Sequence, residues 1–236
     1  MKNTIDTRSL IEDAYRKLKQ FMLQQKIVPG QKLLYRELID LLHMSKTPIV
    51  NALNRLEQEG FVVSEPNCGY YLKPLDTKEI TDSSEVREAL EARAVQQAIK
   101  LGKQNDMEML EKKLRTLEAY PSSTHDKKKF VLNAEFHLQI ADISENRVLK
   151  YLLKRNFEHI ILRVNLDAFA SGNTVASNQE HRKLLESMKK GDIAKSVGLV
   201  QRHIQKTRDF IIRILTRKEL EELDTMDFFE EGQGAF

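Results

Sequence analysis

A single cysteine, Cys68, stands among 236 residues, so an internal disulfide is unavailable and the chain suits a reducing compartment. No apolar run approaches the roughly 18 residues that a membrane-crossing helix requires. The N-terminal segment MKNTIDTRSLIEDAY lacks the apolar stretch of a secretory signal. These absences predict a cytoplasmic protein with no membrane partner. Internal repeats, low-complexity segments and a local HExxH motif are also missing. Nor does one sign of charge dominate: 38 Lys and Arg face 35 Asp and Glu, a formal net charge of +3. The distribution is more telling. Residues 1–75 hold 11 bases and 8 acids, whereas residues 219–236 hold seven acids and no base. That acidic end reads as a solvated, partly frayed tail.

What is present is concentrated in residues 29–73, PGQKLLYRELIDLLHMSKTPIVNALNRLEQEGFVVSEPNCGYYLK. A first helix is predicted over 9–26, with apolar residues at Leu10, Ile11, Ala14, Leu18, Phe21 and Met22. Pro29-Gly30 stops it. A short helix follows over about 36–42. Ser45 suits the N-cap of a third, which tolerates Pro48 in its first turn and stops at Gly60. Phe61-Val62-Val63 and Tyr70-Tyr71-Leu72 read as two strands about a turn at 65–69. Two short helices, a tight turn and a hairpin in this order predict a winged helix-turn-helix, a unit that lays one helix in the major groove of DNA.

Beyond Thr77 no strand signal appears. Helices are predicted near 78–101, 105–119, 126–142, 146–170, 174–190 and 192–217, with apolar residues at three- and four-residue steps. The expected architecture is therefore mainly α. Residues 1–75 form a winged helix-turn-helix domain, 76–218 an antiparallel helical bundle for effector binding and dimerisation, and 219–236 the acidic tail.

Burial of Ile49, Leu53 and Leu56 turns Lys46, Thr47, Val50, Asn51 and Asn54 outward, beside Ser45 at the helix start. Lys46 can reach guanine or phosphate, and Asn51 and Asn54 suit adenine edges. Arg36 is placed for the backbone or an adjacent base, Tyr35 for sugar or phosphate, and Asn67 and Gly69 of the wing for the minor groove. Singly, each of these groups is more often plain solvated surface; their order within 45 residues is what carries the reading.

On these residues the N-terminal half resembles the GntR family of bacterial transcription regulators. The matching positions are Pro29-Gly30, Leu33, Arg36-Glu37-Leu38, Leu42, Ser45-Lys46-Thr47-Pro48, Ala52-Leu53, Arg55-Leu56, Glu59-Gly60 and Gly69. Lys46 replaces the Arg usual in the family. Val50 stands where Arg is frequent, which removes a bidentate guanine contact and offers a thymine methyl an apolar partner instead. The resemblance implies a double-stranded DNA operator, a homodimer and, most often, repression relieved by a metabolite.

In the helical half, His137, His181 and His203 fall on three different predicted helices, and Asn133 lies one turn before His137. By themselves such scattered histidines are usually surface or core residues rather than a metal site. Residues 78–217 resemble the FCD effector domain of the FadR-type branch. There, FHLQIADISENRVL, EHRKLLESMKKGDIAKSV and QRHI match a pattern in which an Asp-x-x-x-His pair and two later histidines bind a divalent ion. The resemblance implies His137, His181 and His203 as ligands, with Asn133 in the usual Asp position, and Zn²⁺ as the ion, with Ni²⁺ or Mn²⁺ as alternatives. A small organic acid is the implied effector. Arg87 is a cation for it, although pairing with Glu91 one turn on explains Arg87 equally well; Arg163 is a second candidate. His159 matches no ligand position. Two rivals remain: an acyl-CoA-type sensor without metal, and a metal-dependent hydrolase with Glu180 as its base.

Overall fold

The computed structural model describes residues 7–66, 68–121, 127–165 and 174–231. The chain divides into two compact units, one comprising residues 1–75 with 158–165 and the other residues 76–157 with 166–236.

In the first unit α1 (Thr7–Leu23) is followed by β1 (Lys32–Leu33), α2 (Tyr35–Leu42), α3 (Lys46–Gln58), β2 (Val62–Glu65) and β3 (Gly69–Leu72). The strands form an antiparallel sheet in the order β1-β3-β2, with Leu33 opposite Tyr70 and Val62 opposite Leu72. The two-residue β1 was not anticipated, because Lys32-Leu33 is too short to show an alternating pattern. The first helix ends earlier than its periodicity suggests, and the chain turns through Gln25 at φ 56°. His43, at φ 54°, closes α2 by donating its N–H to the Ile39 carbonyl. Ser45 holds the N-cap position of α3 in extended conformation, but its side chain makes no capping bond. Gly60 turns the chain out of α3 at φ +78°, a conformation that costs glycine little. Leu18, Met22, Leu38, Leu42, Ile49, Leu53, Leu56, Phe61 and Leu72 make one core, which Leu162 joins.

The segment 158–165 is tied to this unit by specific contacts. Glu158 pairs with Lys19 at 2.6 Å, and the His159 ring stacks on Phe61 at 4.4 Å. Arg163 donates from Nε to the Lys73 carbonyl at 2.8 Å and from Nη2 to the Pro74 carbonyl at 2.7 Å.

The second unit is all helical: α4 (Thr77–Leu101), α5 (Gln104–Ala119), α6 (Lys128–Ile143), α7 (Arg147–Arg163, whose last residues count with the first unit), α8 (Thr174–Lys189) and α9 (Ile193–Glu231). Asp76 caps α4 by accepting the Glu79 N–H at 2.7 Å. α4 packs on α6 and α9, α5 on α6 and α8, and α8 on α9. Val95, Ala98, Leu110, Leu114, Phe136, Ile140, Leu184, Val200 and Ile204 fill the space between them. α9 does not stop near residue 217, as expected, but runs on to Glu231; its acidic end is rich in Glu and Leu, both strong helix formers.

Gly102 fits tightly where α4 gives way to α5. A Cβ there would lie 2.5 Å from the Ala98 carbonyl oxygen and 2.8 Å from Met107 Cε. Gly102→Ala is therefore expected to destabilise the protein by about 1–3 kcal/mol through overpacking, read as a lower urea midpoint with an unchanged slope.

Candidate metal centre and nucleic-acid interface

His137 projects from α6, His181 from α8 and His203 from α9, and all three are buried. Their Nε2 atoms converge. His137 Nε2 lies 3.1 Å from His181 Nε2, which lies 3.2 Å from His203 Nε2. Phe136 and Phe157 wall the cluster, with ring centroids 4.9 Å from His181 and 5.8 Å from His137 respectively.

Two carboxylates stand behind the rings. Glu91 Oε2, from α4, approaches His137 Nδ1 to 2.6 Å, close enough for an ion pair though off the line of a straight hydrogen bond. Glu180 Oε2 lies 2.9 Å from His203 Nδ1, and its Oε1 accepts from Lys206 at 2.5 Å. Carboxylates at Nδ1 favour protons on those nitrogens and leave lone pairs on Nε2 of His137 and His203. His181 can then supply one Nε2 proton at most, so the two Nε2–Nε2 contacts cannot both be good hydrogen bonds. Three converging nitrogens short of protons fit a divalent cation, and the carboxylates behind them fit its outer shell.

The electrostatics agree. Burial, then the neighbouring His203 and His137, pushes His181 well below the usual imidazole range. Burial also lowers His137, against the pull of Glu91. Burial alone would raise the Glu91 carboxyl, but the Arg87 guanidinium and the His137 ring outweigh it and hold it at about 2. The His203 bond, with Lys206, lowers Glu180 to about 2.

Arg87 lies one helical turn before Glu91. Its Nε donates to Glu91 Oε1 at 2.8 Å, and its Cζ sits 4.4 Å over the Phe157 ring. Its Nη2 is buried with no hydrogen-bond partner among the described residues. The ion pair with Glu91 thus exists and still leaves one end of the guanidinium available to an anion. Asn133 stands one turn before His137 on α6 and is half-buried. Arg163, in the first unit, donates to the carbonyls of Lys73 and Pro74.

In the first unit, Arg36, Ser45, Lys46, Thr47, Asn51 and Asn54 are exposed, and Tyr35, Val50 and Gly69 are half-buried. Asn67 lies outside the described residues. Tyr35 and Asn54 meet Tyr70 of β3, a residue that sequence reasoning treated only as strand. The Tyr70 hydroxyl donates to Asn54 Oδ1, and its ring meets Tyr35 edge-on at 6.4 Å. Lys46 Nζ lies 4.8 Å over the Tyr35 ring. Asn51 Nδ2 donates to the Thr47 carbonyl at 3.0 Å. Gly69 has φ +109° and pairs with Glu65, and open space surrounds the position a Cβ would take. Glu91 was likewise anticipated only as a partner of Arg87. The i, i+4 spacing gave that pair, but nothing local in the sequence joins it to His137.

Comparison with known proteins yields the same two parts. Residues 10–72 match the bacterial regulatory proteins of the gntR family, and residues 82–206 match the FCD domain. The chain is 28% identical to the uncharacterized HTH-type transcriptional regulator YdhC of Bacillus subtilis over 179 residues, 75% of this chain and 79% of the relative. It is 29% identical to the Nta operon transcriptional regulator of Aminobacter aminovorans over 188 residues, 79% of this chain and 87% of the relative. Among solved structures, E. coli McbR/YncC superposes with a TM-score of 0.70 at 19% identity, covering 87% of this chain and 98% of that one, a likeness of fold.

Proposed function

This chain belongs to the gntR family of bacterial regulatory proteins, in the branch that carries an FCD domain, and on that premise we propose that it is a homodimeric repressor released by a small organic acid at a divalent metal. Members of this family regulate transcription by binding DNA and are not enzymes.

The observation that carries the sensing half is the convergence of three buried Nε2 atoms in the same unit as a buried guanidinium with a free Nη2. His137, His181 and His203 hold the ion, Zn²⁺ in the first instance, with Asn133 as a fourth, uncharged donor. The effector offers one carboxylate to the ion and an oxygen to Arg87. Glu180 supports the His203 ligand, a task that occupies the carboxylate the hydrolase reading needs as a base. A buried imidazole cluster likewise argues against an acyl-CoA sensor without metal. Control of DNA binding requires only that the acid favour one of two arrangements of a dimer, since differential affinity is what shifts a population. Dimerisation is the natural match to a two-fold symmetric operator.

The test is a thermal-shift screen of small organic acids, with and without EDTA, beside elemental analysis of protein purified without chelator. One acid is expected to stabilise the protein, and chelation to remove its effect. Equal stabilisation with and without EDTA would replace this reading with the metal-free one.

In the DNA-reading half, Arg36, Ser45, Lys46, Thr47, Val50, Asn51 and Asn54 face the operator, with Tyr35 and Gly69 at the rim. Tyr70 holds Asn54 by its oxygen and leaves the amide N–H groups to the DNA. Tyr70→Phe should weaken operator binding by about 0.5–1.5 kcal/mol per head, the net worth of one hydrogen bond, measured by fluorescence anisotropy on an operator recovered by in vitro selection.

A further inference from the structure

We propose that Glu91 couples the two binding events, because one buried carboxylate holds the His137 ring with one oxygen and the Arg87 guanidinium with the other. This inference rests on the metal-and-acid reading above. Glu91 is 2% exposed and turns Oε2 to His137 Nδ1 at 2.6 Å and Oε1 to Arg87 Nε at 2.8 Å. Asn133 adds no charge, so the carboxylates that face these imidazoles among the described residues are Glu91 and Glu180.

The coupling follows from competition for Glu91. A cation at His137 Nε2 makes the Nδ1 proton more acidic and strengthens its pull on Oε2. Glu91 then shares less of itself with Arg87, whose guanidinium turns more fully to an incoming anion. Conversely, an anion at the unpartnered Arg87 Nη2 draws the guanidinium away from Oε1. The carboxylate, so released, bears harder on His137 and makes that imidazole a better ligand. Linkage requires the two effects to be equal: whatever factor the anion adds to metal affinity, the metal adds to anion affinity. Glu91 is thus a positioning residue, acting on the ion through His137 and on the acid through Arg87.

The experiment measures Zn²⁺ affinity of the full-length protein by competition with a chromophoric chelator, with acetate as the carboxylate probe and chloride at matched ionic strength as control. Glu91→Gln keeps the shape and removes the charge. It should lower Zn²⁺ affinity by about 10- to 100-fold, the usual effect of losing such an outer partner. Acetate should tighten Zn²⁺ binding severalfold in the wild type and by a clearly smaller factor in Glu91→Gln, where only its direct bond to the ion remains. Arg87→Met provides an independent arm should Glu91→Gln fail to fold. It should keep Zn²⁺ affinity at or above the wild-type value and show the same reduced acetate effect. The inference falls if Glu91→Gln binds Zn²⁺ as tightly as wild type, or if acetate tightens Zn²⁺ binding in Arg87→Met as much as in the wild type. A wild-type acetate effect no larger than that of Glu91→Gln overturns the coupling alone; a wild-type protein that binds no Zn²⁺ overturns the metal reading with it.

Discussion

His137→Ala is expected to abolish the metal-dependent rise in melting temperature. With free metal at about a thousand times its Kd, a site that exists only in the folded state adds about 4 kcal/mol. For a chain of this length each kcal/mol corresponds to about 2–4 °C, so the wild type should gain roughly 8–16 °C and the variant almost none. The metal-free variant should lose far less. The Nε2 contacts of His137, His181 and His203 lack the protons to be hydrogen bonds throughout, so the cluster contributes little cohesion without its ion. Glu91 keeps Arg87 as a partner when the ring is removed, so no buried charge is stranded. Differential scanning fluorimetry with Zn²⁺ and with EDTA separates the two effects. A full metal-dependent shift in His137→Ala would mean that the ion binds elsewhere. DNA affinity without effector should stay near the wild-type value, since His137 lies in the second unit and the residues that match the gntR family in the first.

Arg36→Ala carries the largest expected effect on the other half. Arg36 is the second residue of α2 and is exposed. An Arg that pairs with a base edge is worth about 1–3 kcal/mol, and a dimer presents two. The loss is therefore about 2–6 kcal/mol, roughly thirtyfold at the low end and more than a thousandfold at the high end. It should be selective, shrinking the preference for operator over random duplex. Lys46→Ala should behave differently. If Lys46 meets phosphate, its loss weakens specific and random duplexes alike and reduces the salt slope by about one per head. Anisotropy titrations across a salt series distinguish the two patterns. Unchanged affinity in Arg36→Ala would move the docking face away from the start of α2.

The sequence carried much of this fold because its punctuation is strong. Gly60, Gly102, Pro121 and Gly191 mark breaks that the structure respects, and the apolar stripes between them define α3 to α6 closely. Where the pattern misled, the cause is local. β1 is two residues long and exists through pairing with β3, a tertiary event. α9 outlasts its apolar stripe because its acidic end is made of helix formers. The site was less legible. His137 and His181 are 44 residues apart and His181 and His203 a further 22, so no spacing rule brings them together; resemblance supplied the grouping and the fold the geometry. The outer carboxylates show the same limit. Arg87 and Glu91 are visible as neighbours one turn apart, but the contact of Glu91 with His137 spans α4 and α6. Tyr70 reads as an ordinary strand aromatic until β3 is seen to deliver its hydroxyl to Asn54 on α3.

The membership of residues 158–165 in the DNA-reading unit bears on any attempt to transplant that unit. A head cut after Leu75 and grafted onto a foreign sensor would arrive without Leu162, leaving a hole in its core. It would bare the face of Phe61 that His159 covers, and strip the Lys73 and Pro74 carbonyls of the arginine that donates to them. A working chimera must therefore carry a short helical piece from more than eighty residues downstream, or an invented substitute for it, so this head is not a cassette that can be lifted from one contiguous stretch of gene.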